Sequence, residues 1–359
     1  MIRLALCVLC GVVFFTCGPS RNKSGISRLN VSFNSNWKFH PGDVIGAESE
    51  TFDDHSWRVL RLPHDWSIEG EFNPAHPATV GGGALPGGTG WYRKTFTICD
   101  TDSIKRYVIR FDGVYMNSEV WINGVYLGKR PNGYISFEYD ITPHVHFGSR
   151  ANVLAVKVAN EPQPNSRWYS GSGIYRNVWL KKMHKTYIDR NETFIVTPDI
   201  TPKKASVVVS ATFRNSLEET QKVTALFELK DPDDKVVAKK EIDLLLDPGQ
   251  HMTIPVSMDV AIPKLWSVHS PHLYKSVIYL FDGRQLLDET EDNFGIRYFA
   301  FDPKGGFSLN GEPMKIKGVC NHHDLGLLGS AINTRALERQ LEIMRDMGVN
   351  AIRTAHNPP

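Results

Sequence analysis

Lys315-Ile-Lys-Gly-Val-Cys-Asn-His-His-Asp324, Thr334 to Met347, and Val349-Asn-Ala-Ile-Arg-Thr-Ala-His-Asn357 read in turn as strand, helix and strand. In the middle piece Leu337, Leu341 and Met344 recur at i, i+4 and i+7, and Ile343 and Met347 widen the stripe, which is the spacing of an amphipathic helix. Asn333 or Thr334 can cap its start, and Gly348 sits where it must stop. Glu338, Arg339, Glu342, Arg345 and Asp346 fall on the outer face. A helix between two strands makes the unit parallel and right-handed, the opening βαβ of a barrel. A (β/α)8 barrel takes roughly 250 residues and only about 60 follow Asp302. The expectation is the truncated start of a TIM barrel, residues 298–359, with the closing strands beyond Pro359.

Upstream the period changes to two. From about Tyr187 to Arg297, Val207, Val209, Ala211 and Phe213 share one face, Val223, Ala225, Phe227 and Leu229 another. After the turn Asp231-Pro-Asp-Asp234 come Met252, Ile254, Val256 and Met258. About a hundred residues of this pattern fit an immunoglobulin-like β-sandwich over 186–297, without the Cys–Trp–Cys signature. Further upstream, Tyr107, Ile109 and Phe111 alternate with Val108, Arg110 and Asp112, Val120 and Ile122 with Trp121, and Leu154, Val156 and Val158 with Ala155 and Lys157. Asn123-Gly124 marks a two-residue hairpin, because both residues tolerate positive φ. Many short strands joined by Gly, Pro and Asn turns predict a jelly roll over 28–184. The run Gly81-Gly-Gly-Ala-Leu-Pro-Gly-Gly-Thr-Gly90 is expected to be a loop throughout. The fold class is multidomain and mainly β.

The first twenty residues fit an export signal: Arg3, then the apolar run Leu4–Thr16, too short to span a bilayer. Cys17-Gly18 also fits a lipoprotein signal, with cleavage before Cys17 and acylation of its thiol, but the bulky Phe14-Phe-Thr16 favours plain secretion. The expected location is outside the cytoplasm, secreted or periplasmic, with a lipoprotein of the outer membrane or cell surface as the variant that acylation of Cys17 would give. Three of the five cysteines lie in that signal, leaving Cys99 and Cys320 far apart and no disulfide framework. A net charge of +2 without clustered Lys/Arg argues against nucleic acid as a partner. Aromatics make up 11% of the chain, which β cores can absorb before any need be assigned to sugar-facing rings.

Barrels carry their reactive groups at the C-terminal ends of strands. That rule selects Asn321, His322, His323 and Asp324 after a first strand read as Met314–Val319. It also selects Arg353, His356 and Asn357 after a second strand read as Val349–Ile352. Any of these can equally be a loop cap. Three histidines and an aspartate raise zinc, but their spacing matches no zinc-ligand pattern.

Nearly the whole mature chain resembles glycoside hydrolase family 2, the β-galactosidases, β-glucuronidases and β-mannosidases. The matching text is Arg61-Leu-Pro-His-Asp-Trp66, Gly90-Trp-Tyr-Arg-Lys94, Phe111-Asp-Gly-Val114, Trp121-Ile-Asn-Gly124, Tyr169-Ser-Gly-Ser-Gly-Ile-Tyr-Arg176, Leu265-Trp-Ser267, Pro271-His-Leu-Tyr274, Phe294-Gly-Ile-Arg297, Phe307-Ser-Leu-Asn-Gly311 and Ile352-Arg-Thr-Ala-His-Asn357. Each is weak alone; their number and order are specific. The resemblance implies a jelly-roll sugar-binding domain, an immunoglobulin-like sandwich and a catalytic barrel, in that order. It implies that Arg353 lies beside the catalytic nucleophile, that His356 contacts sugar hydroxyls, and that His322, His323 and Asp324 line the sugar pocket, with Asn357 among the substrate-binding residues. It places the two catalytic glutamates on later barrel strands, so no acidic residue of this chain is assigned catalysis. The implied substrate is a carbohydrate and the implied activity that of a retaining exo-β-glycosidase, most like a β-galactosidase. No cofactor is assigned, and a divalent or monovalent cation and a homo-oligomer are left open. The alternative class is a non-catalytic carbohydrate-binding protein, against which the βα unit counts, since a binding module has no use for it.

Overall fold

A computed structural model describes residues 28–99 and 105–355. The export signal with Cys17, and His356 and Asn357, lie outside the described residues.

The N-terminal body is two antiparallel sheets face to face. One orders Leu29–Ser32, Val178–Met183, Arg106–Phe111 and Phe137–Asp140; the other orders Arg58–Leu60, Trp37–Pro41, Gly88–Phe96, Asn152–Asn160, Ser118–Ile122 and Val125–Arg130. Alternation decides what lies between them. Tyr107, Ile109 and Phe111 meet Val120, Ile122, Leu154, Val156 and Val158 around Trp37 and Tyr92, all buried. Val108, on the opposite face of its strand, is buried as well, because Met183 and Tyr187 pack against it where the next body begins. On the outer face of the larger sheet, Trp91 and Trp121 stack 5.3 Å apart, and Ala47 and Trp57 cover them. Asn123 and Gly124 both take positive φ and close the hairpin as expected.

The glycine-rich run departs from expectation at its end. Gly88, Thr89 and Gly90 are paired strand, not loop. A Cβ on Gly90 would stand 2.9 Å from Phe39 Cε2 and 3.0 Å from Trp66 Cζ3. Glycine is there so that two rings can lie on the strand, a close approach that composition alone reads as a breaker.

The second body packs Thr186–Ile200, Lys204–Asn215 and His251–Ala261 against Val236–Leu246, Gln221–Lys230, Tyr274–Asp282 and Gln285–Phe294. Val207, Val209, Ala211 and Phe213 face Ala225, Phe227 and Leu229 in one buried core. The two bodies are tied by Arg28. It donates to both oxygens of fully buried Asp288 at 2.9 and 2.5 Å and to the carbonyl of Ile188 at 2.6 Å.

A three-stranded meander, Phe299–Asp302, Gly306–Leu309 and Glu312–Pro313, leads into the third body. Gly318–Asn321 and Ala351–Thr354 pair in parallel around the helix Thr334–Asp346. Asn333 is the cap, its Oδ1 accepting from the Ala336 amide at 3.1 Å. Both strands begin later than the hydrophobic pattern suggests. Asn350 is the cause: its amide and side chain bond Lys315 and Lys317, holding that stretch at 2.8–3.0 Å before regular pairing starts. Asn321 and Arg353 therefore belong to the strands rather than to the loops after them. The helix buries no residue fully, and Leu341 of its apolar stripe is 42% exposed. No helix among the described residues is long and apolar enough to cross a membrane.

Candidate functional site

Strand register sorts the barrel-top residues onto two faces. Cys320 pairs with Arg353, and Asn321 with Thr354. Residues paired across parallel strands point the same way, and neighbours along a strand point oppositely. The Asn321 side chain reaches Gln340 of the helix at 3.5 Å, so that is the helix side. Cys320 and Arg353 point to the other side, where a barrel axis would run. Both are exposed, and the guanidinium lies 3.8 Å from the Cys320 sulfur.

His322 and His323 turn toward the N-terminal body. A cleft of about 660 Å³ opens there between the helix and the jelly roll; His322 and Asn321 line it opposite Arg176 and Asn177. His323 is set deeper, its ring edge-on to Tyr134 and Tyr175 at 5.8 and 5.9 Å. Burial, outweighing the Asp324 charge, holds its imidazole below the usual range. It is neutral at pH 7, suited to hydrogen bonding rather than to carrying charge. Asp324 is half-buried, close enough to Tyr169 that its charge acts on the phenol. Burial first, then the carboxylates of Asp65 and Asp324, push Tyr169 well above its ordinary value.

Asp65 carries no role in the sequence reading beyond its place in the Arg61–Trp66 motif. It is 1% exposed. Its Oδ1 accepts from the amides of Ser67 and Ser172 at 3.0 and 2.9 Å. Its Oδ2 accepts from the Tyr169 hydroxyl at 2.5 Å and from the amide and hydroxyl of Ser330 at 2.9 and 3.0 Å. Ser330 lies in the loop that follows the first parallel strand. The signal was the pair of motifs Arg61–Trp66 and Tyr169–Arg176, far apart in sequence and joined here.

Glu338 and Glu342 pair with Arg335 on the outer side of the helix at 2.8–3.3 Å, and Glu312 is exposed in the meander. Among the described residues no three His, Cys, Asp or Glu side chains converge as a metal site would need.

The architecture agrees with comparisons to known proteins. Sequence models described as "Glycosyl hydrolases family 2, sugar binding domain", "Glycosyl hydrolases family 2" and "Glycosyl hydrolases family 2, TIM barrel domain" match residues 32–184, 186–297 and 303–359. A β-galactosidase of Bacteroides ovatus is 47% identical over 92% of this chain and 39% of its own length. A putative β-glucuronidase of Formosa agariphila is 40% identical over 100% of this chain and 33% of its own. The crystal structure of a family 2 glycosyl hydrolase from Bacteroides cellulosilyticus superimposes with a TM-score of 0.88 at 41% identity, covering 92% of this chain and 43% of that one. The chain thus spans well under half the length of these relatives.

Proposed function

The chain belongs to glycosyl hydrolase family 2, and from that premise we propose that it supplies the N-terminal part of an exported, retaining exo-β-glycosidase that removes terminal β-D-galactosyl residues from oligosaccharides or glycans. The family identity makes it a part of a β-glycosidase. The observation that supports the barrel-site part of this reading is the parallel pair Gly318–Asn321 and Ala351–Thr354, which turns Arg353 to the axis face in a chain whose three bodies follow the family's order.

A retaining glycosidase uses two carboxyl groups about 5–5.5 Å apart, one as nucleophile and one as acid/base. Both would come from later barrel strands. Arg353 would stand beside the nucleophile, where a guanidinium favours the ionised carboxylate and keeps it ready to attack. His322, His356, Asn357 and Asp324 would bond the hydroxyls of a single sugar ring. His323, neutral and enclosed by two tyrosines, would shape the pocket wall. Galactose is favoured by the 47% identical relative. A second reading, β-glucuronidase, is favoured by the 40% identical one.

The test is a panel of aryl β-galactoside, β-glucuronide and β-mannoside offered to the full-length gene product, with the anomer of the released sugar followed by NMR. Preferred release of β-galactose with retained configuration is expected. Preferred cleavage of the glucuronide would move the assignment to the second reading, and an inverted product would overturn the mechanism.

A further inference from the structure

We propose that Asp65 is a positioning residue for the glycosidase reaction: from the jelly roll, it fixes the barrel loop 322–333 that carries the candidate sugar contacts. This rests on the glycosidase reading above. The carboxylate receives five donors from three separate segments, the loop at 67, the loop at 169–172 and the barrel loop at 330. A carboxylate offers about four lone-pair sites, so its accepting capacity is filled. The carboxylate is buried, and no cation is among these hydrogen-bond partners. Burying a charge is costly unless hydrogen bonds satisfy it, and simple adhesion between two bodies needs no charge at all. What five directed bonds add is a fixed geometry.

The backbone is shaped to permit it. Gly171 and Gly329 take positive φ on either side of the carboxylate. A Cβ on Gly171 would lie 2.0 Å from Ser330 Oγ, and one on Gly329 would lie 2.5 Å from Asp65 Oδ2 and 2.4 Å from Ile68. Only glycine lets the two loops close on Asp65. Two further contacts hold the rest of the barrel loop. The Ile332 amide donates to the Tyr175 carbonyl at 2.9 Å, and the His323 ring lies against Tyr134 and Tyr175. Asp324 thus sits between two anchors. Tyr169 belongs to the Asp65 anchor, donating its hydroxyl to the carboxylate. Losing Asp65 frees the Ser330 end, and the loop carrying His322 and Asp324 drifts.

The experiment compares full-length wild type, Asp65→Asn and Ser330→Ala by steady-state kinetics on whichever aryl β-glycoside the wild type cleaves, and by hydrogen exchange. Asn keeps the shape but turns a donor group toward donors. In Asp65→Asn, kcat per folded molecule is expected to fall about 10²-fold, the cost of roughly 1 Å of misplacement, with KM changed much less. Amides of 322–333 should exchange faster while those of 204–294 do not. Ser330→Ala should show the same pattern at smaller amplitude, and it keeps the proposal testable if Asp65→Asn does not fold. The double variant should lose no more than Asp65→Asn alone, as contacting residues do not add. A residue that only stabilises the fold would lower the melting temperature and leave kcat per folded molecule unchanged; that result overturns the proposal, as does unchanged exchange in the loop. If the wild type cleaves no glycoside, the functional reading fails, and the exchange data alone decide whether Asp65 fixes the loop.

Discussion

Replacing Arg28 with alanine should separate the first two bodies energetically. Asp288 is fully buried and Arg28 11% exposed, so water screens the pair little. Arg28→Ala removes both hydrogen bonds to the carboxylate and the one to the Ile188 carbonyl, and leaves Asp288 with the Ile188 amide at 2.8 Å. Breaking a buried pair from one side costs about 3–5 kcal/mol, because the remaining charge has no partner. The retained amide places this case at the low end, about 3 kcal/mol. For a body of roughly a hundred residues, each kcal/mol moves the melting temperature by about 4–8 °C, so a drop of at least ~10 °C is expected. Arg28→Lys keeps the charge but cannot fork to two oxygens and a carbonyl, and should lose about 1–2 kcal/mol, the size of a hydrogen bond to a charged group. Differential scanning calorimetry of residues 28–355 is the assay. A shift below ~2 °C for Arg28→Ala, or a lysine variant as unstable as the alanine one, would show that the Arg28–Asp288 pair does not hold the two bodies together.

Residues 28–359 expressed alone should hydrolyse no aryl β-glycoside; turnover lost on a point change within this chain would refute that and direct attention to Asp324. Gly90→Ala should cost about 1–3 kcal/mol by overpacking against Phe39 and Trp66, read as a lower urea midpoint, and an unchanged midpoint would show that the rings yield. Burial is the leading cause holding His64 and His323 below the ordinary value of 6.5. The folded state therefore binds fewer protons than the unfolded one, and their contribution is complete above 6.5 and lost as pH falls from there through the folded values. The melting temperature should be lower at pH 5.5 than at 7.5; an equal or higher value would contradict the assignment.

The β architecture was legible because period-two alternation is a direct record of which face is buried: Val207 to Phe213 and Tyr107 to Phe111 read correctly without any partner known. The helix was legible for the same reason at period 3.6. What local pattern cannot hold is a contact made from afar. Val108 is buried by a neighbouring body, Gly90 serves two rings from other segments, and the strand starts are set by the Asn350 side chain reaching back more than thirty residues. Asp65 is the clearest case. Its motif was visible, but its role depends on Tyr169 and Ser330, which only the fold brings to it. Of the candidate site, Arg353 was identified by strand-end position, and its axis-facing direction came from register. The two adjacent histidines were chosen as a pair; both line the same cleft, but only His323 sets its ring against Tyr134 and Tyr175.

We propose that the ends of these two parallel strands form one side of a β-glycosidase pocket. The most direct measurement is kcat and KM for the full-length gene product and its Arg353→Ala variant on an aryl β-galactoside. Hydrolysis by the wild type is expected, with kcat lower by about 10²-fold or more in the variant, the size of removing one preorganised electrostatic donor, and KM changed far less because the arginine acts on the transition state. A folded variant turning over near the wild-type rate would contradict it and leave Arg353 a structural residue of the strand.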